Sequence, residues 1–504
     1  MSELPNGWAS ATLQDIATWS SGGTPSRMNP QYYSGEIPWF KTGELGPRVL
    51  YSSEEHISEQ AVLDSSAKVF SKGSVAIAMY GATIGKTSIL GIDAATNQAC
   101  AVGFPEATSA EFLHYFLVSQ EKGFVDAGKG GAQPNISQGI IKAWPISLPS
   151  KNEQTRILNK LEELLSELDA GVAELKAAQK KLAQYRQSLL KAAVEGALTA
   201  EWRANNPPVE TGAQLLARIL TERRTRWEAK QLAKFKEQGK TPPKDWQSKY
   251  PEPVQPDATN LQELPEGWAW ATVEQLGNVQ LGRQRSPSKI GKANPTPYIR
   301  AANITENGVD LSDVLEMEFS ETEKETFALK VGDVLLTEAS GSPAHVGRPA
   351  IWNQAECLYC FQNTVLRFSP EGIGSDYAFY LFLAMQKLNV FSKLSGGVGI
   401  NHLSAGKFAK LAVPLPPVAE QLALVATIKE QFSLCDEQFF TIQLSLKQST
   451  AQRQNILRAA FAGQLVAQDT NDEPASVLLE RIRAEREQQS TLKKQKVRKT
   501  TQKT

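Results

Sequence analysis

No stretch of this 504-residue sequence is apolar over the length a bilayer requires, and its first residues, MSELPNGW, carry no charged segment followed by an apolar one. The expectation is a chain with neither membrane span nor secretory leader. Cysteine is scarce: Cys100, Cys357, Cys360 and Cys435 make no disulfide framework, which points to a reducing cytoplasm. Neither sign of charge predominates. Lys plus Arg number 54 against 54 Asp plus Glu, so no global basic field advertises nucleic-acid binding, and local distribution carries the information instead. With 41% hydrophobic and 21% charged residues the chain has a globular composition, and its length suggests three or four folded units.

Catalytic signatures are also missing. The run Gly81-Ala82-Thr83-Ile84-Gly85-Lys86-Thr87 has three residues between its first glycine and the Gly-Lys pair where a phosphate-cradling P-loop has four. Asn206-Pro207-Pro208 is similar to the motif with which amino-methyltransferases hold a flipped base, but Val209 stands where an aromatic ring is needed, and a helix terminator is the better reading. Cys357 and Cys360 lack a second ligand pair, and His56, His114, His345 and His402 are scattered, so no structural zinc is expected. Asp257 and Glu263 have no lysine following at nuclease spacing.

What the chain does have is a repeat. LPNGWASAT, Leu4 to Thr12, returns as LPEGWAWAT, Leu264 to Thr272, at an offset of 260 (272 − 12). Leu148-Pro149 and Glu153-Gln154 return as Leu415-Pro416 and Glu420-Gln421 at an offset of 267 (420 − 153), which then holds without a gap to Gly196 and Gly463. Between these anchors the halves diverge. Small islands remain, Gly85 with Gly347 and Gln98 with Gln362. A kept frame around dissimilar contents suggests one shared job and two different targets.

From Glu153 to Leu198 there is no proline, and Ile157, Leu161, Leu164, Leu168, Val172, Leu175, Leu182, Tyr185 and Leu189 recur largely in steps of three and four. The pattern predicts an amphipathic helix of roughly 65–70 Å at 1.5 Å per residue, long enough to call for a coiled-coil partner. The matching stripe Leu424, Ile428, Phe432, Cys435, Phe439, Ile442, Leu446 and Ile456 supplies one, and two such helices in one chain can pair antiparallel. Separate packing of each helix on its own domain is the alternative. The predicted organisation is α+β: a recognition domain at 1–150, a spacer helix at 151–200, a basic helical appendage and linker at 201–260, a second recognition domain at 261–417, a second spacer helix at 418–466, and a helical appendage with a disordered basic tail at 467–504. LLARILTER, starting at Leu215, is echoed by LLERIRAER, starting at Leu478, an offset of 263 (478 − 215). The arginines and lysines of the first appendage suit phosphate contact or a solvated helix of mixed charge.

In this order, twice over, LPNGW and LPEGW, the GGTPS loop (Gly22 to Ser26), PYIRAANI (Pro297 to Ile304), LKVGDVLL (Leu329 to Leu336) and the endings WPISLPSKNEQ and AVPLPPVAEQ resemble type I restriction-modification specificity subunits over almost the whole chain. The resemblance implies two α/β target recognition domains separated by two long antiparallel coiled-coil helices with a pseudo-twofold internal repeat. Each domain would read one half of a split double-stranded DNA target while the helices fix the spacer. It further implies two modification (methyltransferase) subunits docked on the helices and restriction (translocase/nuclease) subunits added for cleavage. S-adenosylmethionine, ATP and Mg would belong to those partners, leaving no cofactor, metal or catalytic residue in this chain. A coiled-coil scaffold pairing two protein ligands and a methyltransferase or nuclease fusion are the alternatives.

Sequence is read by hydrogen bonds at base edges, whereas phosphate contacts set register. Polar loop residues beside glycine turns are therefore the DNA-binding candidates: Thr24, Ser26, Lys41, Tyr80, Lys86 and Gln98 in the first domain, and Arg283, Gln284, Arg285, Arg300, Asn303, Ser340, Arg348 and Asn363 in the second. The cluster Arg283-Gln284-Arg285 is the first choice, and Lys86 and Arg348 are the candidates for phosphate.

Overall fold

A computed structural model describes residues 4–128, 134–257, 259, 261–284, 295–340, 345–395 and 401–501. The chain divides into two compact units, 1–176 with 443–504, and 177–442, so each unit holds the beginning of one long helix and the end of the other. Among the described residues no helix is long and apolar enough to cross a membrane.

In the first unit Ala9–Thr12 pairs antiparallel with Pro145–Leu148, which brings the start of the recognition domain to its end. A five-stranded sheet runs in the order Ala17–Ser21, Cys100–Pro105, Val75–Ala78, Thr87–Leu90, Val49–Leu50. Its central strands, VAIA and TSIL, are buried along their whole length, as expected of short strands covered on both faces. Helix Ala110–Ser119, capped by Ser109, contributes Phe112, Leu113, Phe116 and Leu117 to that core. A four-stranded sheet, Glu55–Ile57, Ile37–Phe40, Ala94–Thr96, Val69–Phe70, completes the head.

The second unit repeats the plan. Ala269–Thr272 pairs with Ala412–Leu415, and a four-stranded sheet runs Gly277–Leu281, Val365–Pro370, Val334–Thr337, Pro349–Ile351. Pro295–Ile299 lies between Leu315–Glu318 and Cys360–Phe361 in a three-stranded sheet.

The long helices span Lys151–Val194 and Val418–Phe461, 44 residues each. In the first unit Ile157, Leu161 and Leu165 share a core with Ile456, Leu457 and Ala460, and Arg453 is ion-paired with Asp169. In the second, Ala193 shares a core with Leu424 and Ile428, Tyr185 Oη donates to Gln431 Oε1 over 3.0 Å, and Arg186 meets Asp436 at 2.5 Å. Rising numbers on one helix meet falling numbers on the other, so the pairing within each unit is antiparallel.

The repeated Leu-Pro-x-Gly-Trp turn fastens each head to its helices. Trp8 Nε1 donates to Glu153 Oε2 over 3.0 Å, and Trp268 Nε1 donates to Glu420 Oε2 over 2.8 Å, both in buried surroundings. The same turns accept the first amide of each appendage helix: Gly212 N–H donates to Gly267 O (2.7 Å), and Ala475 N–H to Gly7 O (2.9 Å). The 263-residue echo read from sequence is therefore one docking event used twice (475 − 212 = 263).

One expectation about the appendages needs correction, and one open alternative is narrowed. The tail is not irregular: the last helix runs Ala475–Thr501, because nothing from Ala475 onwards is glycine or proline and Lys, Arg, Gln and Glu are good helix formers. The arginines of helix Gly212–Glu237 are engaged within the protein, Arg218 with Glu210 and Glu222, Arg224 with Glu228 and Glu252, and Arg226 with Glu371, which favours the mixed-charge reading over a phosphate-binding face.

Candidate nucleic-acid interface

Both heads hold the candidate residues on one backbone frame that the sequence alignment hides. After strand Ala17–Ser21, Gly22 N–H donates to Cys100 O and Gly23 N–H to Thr96 O; after Gly277–Leu281, Gly282 N–H donates to Val365 O and Arg283 N–H to Phe361 O. Thr24 therefore corresponds to Gln284. The turn closed by Cys100 N–H on Asn97 O corresponds to the turn closed by Val365 N–H on Gln362 O. This corrects the sequence match: Gln362 is the counterpart of Asn97, and Gln98 is the counterpart of Asn363 (363 − 98 = 265).

The glycine-bearing loop matches as read. Gly85 N–H donates to Ala78 O and Ala78 N–H to Lys86 O; Gly347 N–H donates to Thr337 O and Thr337 N–H to Arg348 O. Gly85 and Gly347 have φ of 84° and 70°, and a Cβ on Gly347 would collide with the Phe391 ring, so glycine is required by both backbone and space. Each glycine delivers a cation, Lys86 or Arg348, to the head of the next strand. That neighbour is a strand, Thr87–Leu90, and no helix N-terminus follows, so the P-loop likeness ends here.

The cations differ in how they are engaged. Lys86 is exposed and, among the described residues, has no acidic partner. Arg348 is half-buried, with Nη1 donating to Ile304 O at 3.5 Å. Nearby, Thr24 Oγ1 donates to Gln98 Oε1, Gln98 and Ser26 are exposed, and Tyr80 projects with 46% of its surface accessible. Gln284 is exposed and Asn363 half-buried on the corresponding turns of the second head. Ser340 lies on the two-residue strand Ala339–Ser340, whose backbone pairs with Asn401–His402. Arg285 lies outside the described residues.

Four candidates are turned to internal work. Arg283, the first choice from sequence, is 10% exposed, its Nε 2.6 Å from Glu323 Oε1 and its guanidinium 5.2 Å from the centre of the Phe319 ring. Burial alone would raise the Glu323 carboxyl, but the Ser320 amide and Arg283 overcome it and hold it at about 2. Asn303 is 3% exposed; its Oδ1 caps Arg300 N–H at 3.1 Å and its amide donates to the carbonyls of Asp310 and Asp313, so it has nothing left for a base. Arg300 is paired with Asp313. Lys41, its counterpart, sits 3.0 Å from both Glu54 and Glu55, whose hydrogen bonds raise its pKa. A sequence shows that a cation lies beside a glycine turn, but not which carboxylate the fold will bring to it. Replacing Arg283 by alanine should therefore act on the fold, lowering stability by about 1–3 kcal/mol as a charged hydrogen bond is lost. The urea midpoint of the purified chain measures it, and an unchanged midpoint would return Arg283 to the DNA-contact set.

Arg27, beside the GGTPS loop and outside the candidate set, is likewise engaged within its head. Its guanidinium lies 4.1 Å from the centre of the Tyr33 ring and 5.2 Å from that of Trp39, and it is ion-paired with Glu55. Among the described residues no group of three or more His, Cys, Asp or Glu side chains is placed to hold a metal ion.

The type I restriction modification DNA specificity domain matches residues 5–177 and again 265–437, one match per head with its adjoining helix. Over 502 residues the chain is 23% identical to the type I restriction enzyme EcoDI specificity subunit of Escherichia coli, covering 96% of both proteins. It is 24% identical over 506 residues to the EcoKI specificity subunit of Escherichia coli strain K12, again with 96% of both covered. The fold is similar to that of a chain solved in work on complex assembly and conformational transition of the type I R-M system (TM-score 0.64, 16% identity, 92% of this chain and 100% of that one). It is also similar to the HsdS subunit from Thermoanaerobacter tengcongensis (TM-score 0.51, 17% identity, 92% and 98%). Two copies of one recognition frame, each matched by the same domain and fastened to paired helices, make this chain a member of the type I restriction-modification DNA specificity family.

Proposed function

We propose that this chain chooses the DNA sequence for an assembly whose chemistry resides in its other subunits, each head engaging one half of a bipartite duplex target. Lys86 and Arg348 contact backbone phosphates and set register, while the neighbouring polar positions, Thr24, Ser26, Tyr80 and Gln98 in one head and Gln284 and Asn363 in the other, face base edges. Members of this family are non-catalytic recognition components. The antiparallel helices fix the separation of the half-sites and carry two modification subunits, to which restriction subunits are added. S-adenosylmethionine, ATP and Mg belong to those partners, and the complex works in the cytoplasm.

The observation that carries this reading is that one hydrogen-bonded frame recurs in both heads with its glycine-presented cation kept and the side chains around it changed. Shared phosphate geometry and different base sequences require that combination. The test is to exchange residues 1–150 for those of a relative, assemble the complex with its modification subunits, and map methylated adenines across a genome. One half of the recognised motif should change and the other half and the spacer should stay. A motif unchanged, or changed in both halves, would refute the assignment of one head to one half-site.

A further inference from the structure

Gln98 and Asn363 stand 265 residues apart (363 − 98) and were not matched by sequence, yet they occupy one position in the shared frame. Each is the second residue of a tight turn whose backbone is held at three places. The turn is closed by Cys100 N–H on Asn97 O in one head and Val365 N–H on Gln362 O in the other. It is tied back by Asn97 N–H on Phe40 O and Gln362 N–H on Ile299 O, and its third residue accepts from Met79 N–H or Glu338 N–H. A side chain on such a turn has a rigid base and only its own rotamers to lose on binding.

Both residues are primary amides, the side-chain type that offers a donor and an acceptor in one plane and pairs in bidentate fashion with adenine N6 and N7 in the major groove. In the first head Thr24 Oγ1 donates to Gln98 Oε1, which steadies the amide; the residue at Thr24's place in the second head is the longer Gln284, beside the shorter Asn363. Met79 and Glu338 directly follow the strands Val75–Ala78 and Val334–Thr337, whose last residues exchange backbone hydrogen bonds with Gly85 and Lys86 or with Gly347 and Arg348, so phosphate contact and amide spring from one hydrogen-bonded unit.

We infer that Gln98 and Asn363 are the same specificity position used once per head, each reading an adenine in its own half-site. The inference rests on the DNA-reading function proposed above. Its test is genome-wide mapping of adenine methylation by the full complex carrying Gln98→Ala, Asn363→Ala or Gln98→Arg. Gln98→Ala should relax a single A·T pair in one half-site, with discrimination there falling about 5- to 150-fold, the loss expected for one bidentate contact. Asn363→Ala should do the same in the other half-site. Gln98→Arg should shift the affected pair towards guanine. Lys86→Gln should weaken binding evenly across sequences and reduce the slope of log affinity against log salt by about 0.9. A relaxed G·C pair, a motif unchanged by both alanine variants, or an even loss of methylation at every position would overturn the assignment. If the exchange of residues 1–150 changes the motif while the alanine variants do not, only this position is wrong; if the exchange also leaves the motif intact, the DNA-reading function fails with it.

Discussion

Replacing Glu420 by glutamine is expected to destabilise the second unit by about 3 kcal/mol, whereas the same change at its repeat partner Glu153 should cost nothing at neutral pH. Glu420 is 1% exposed and accepts from Trp268 Nε1 at 2.8 Å, Thr199 Oγ1 at 2.6 Å and Arg203 Nε at 3.0 Å. An amide in its place keeps the tryptophan bond but turns an N–H₂ towards a partly buried guanidinium that has lost its counter-charge. In the first unit the residues at the same offset of 267 are Val466 and Thr470 (466 − 199 = 267, 470 − 203 = 267), neither of them a cation, and Glu153 Oε1 is buried with no partner among the described residues. Burial outweighs the Trp8 hydrogen bond and Arg156 and pushes the Glu153 carboxyl above its usual range. The folded chain therefore holds that proton more tightly than the unfolded chain. Stability from this group is fully present below the ordinary glutamate pKa and is lost as pH rises through the raised value. Glu153→Gln should remove that dependence and leave stability at pH 7 equal or higher. Urea midpoints of both variants between pH 4 and 8 measure the contrast; equal losses at pH 7 would show that the two clamps are energetically alike.

The second large effect is expected at the glycines that end the long helices. Gly196 and Gly463 have φ of 72° and 71°, the left-handed conformation that closes a helix C-terminus, and each faces the proline of a Leu-Pro-x-Gly-Trp turn. A Cβ on Gly463 would stand 2.6 Å from Pro5 Cγ and 3.2 Å from Trp8 Cζ2; one on Gly196 would collide with Pro265 and lie 3.2 Å from Trp268 Cζ2. Backbone strain and displacement of a proline ring together should cost about 2–4 kcal/mol for Gly463→Ala. A control at Gly171, inside the first long helix with open space where a Cβ would go, should be neutral or stabilising by up to about 1 kcal/mol. Denaturation midpoints of the two variants separate the cases, and a neutral Gly463→Ala would mean the turn can move aside.

These two sites explain why the repeat was legible at its ends and lost in its middle. Trp8 and Glu153, and Trp268 and Glu420, meet through direct side-chain bonds, so these residue types are kept at both ends of each head although 145 residues separate one pair and 152 the other. Inside the heads the frame is held by backbone hydrogen bonds, which any side chain can accompany. The offset between equivalent residues there runs from 260 at Gly22 (282 − 22) to 265 at Asn97 (362 − 97), 259 at Met79 (338 − 79) and 262 at Lys86 (348 − 86). Loops of changing length defeat alignment by sequence but leave the ladder unchanged. That is why Gln98 matches Gln362 by sequence and Asn363, the next residue, by backbone frame.

By itself the sequence determined the duplication and the two long amphipathic helices, because periodicity and an ungapped repeat are local properties of the chain; that these helices pair, and in antiparallel sense, was decided by tertiary contacts. It also identified Gly85-Lys86 and Gly347-Arg348 as equivalent, since positive φ restricts those places to glycine. Only the tertiary structure decided which polar residues remain available to DNA. Arg283, Arg300, Asn303 and Lys41 are consumed by Glu323, Asp313, the carbonyls of Asp310 and Asp313, and Glu54 with Glu55. The physical reason is that a charged or amide group is satisfied by whatever partner the fold brings within about 3 Å, and that proximity is set by long-range packing.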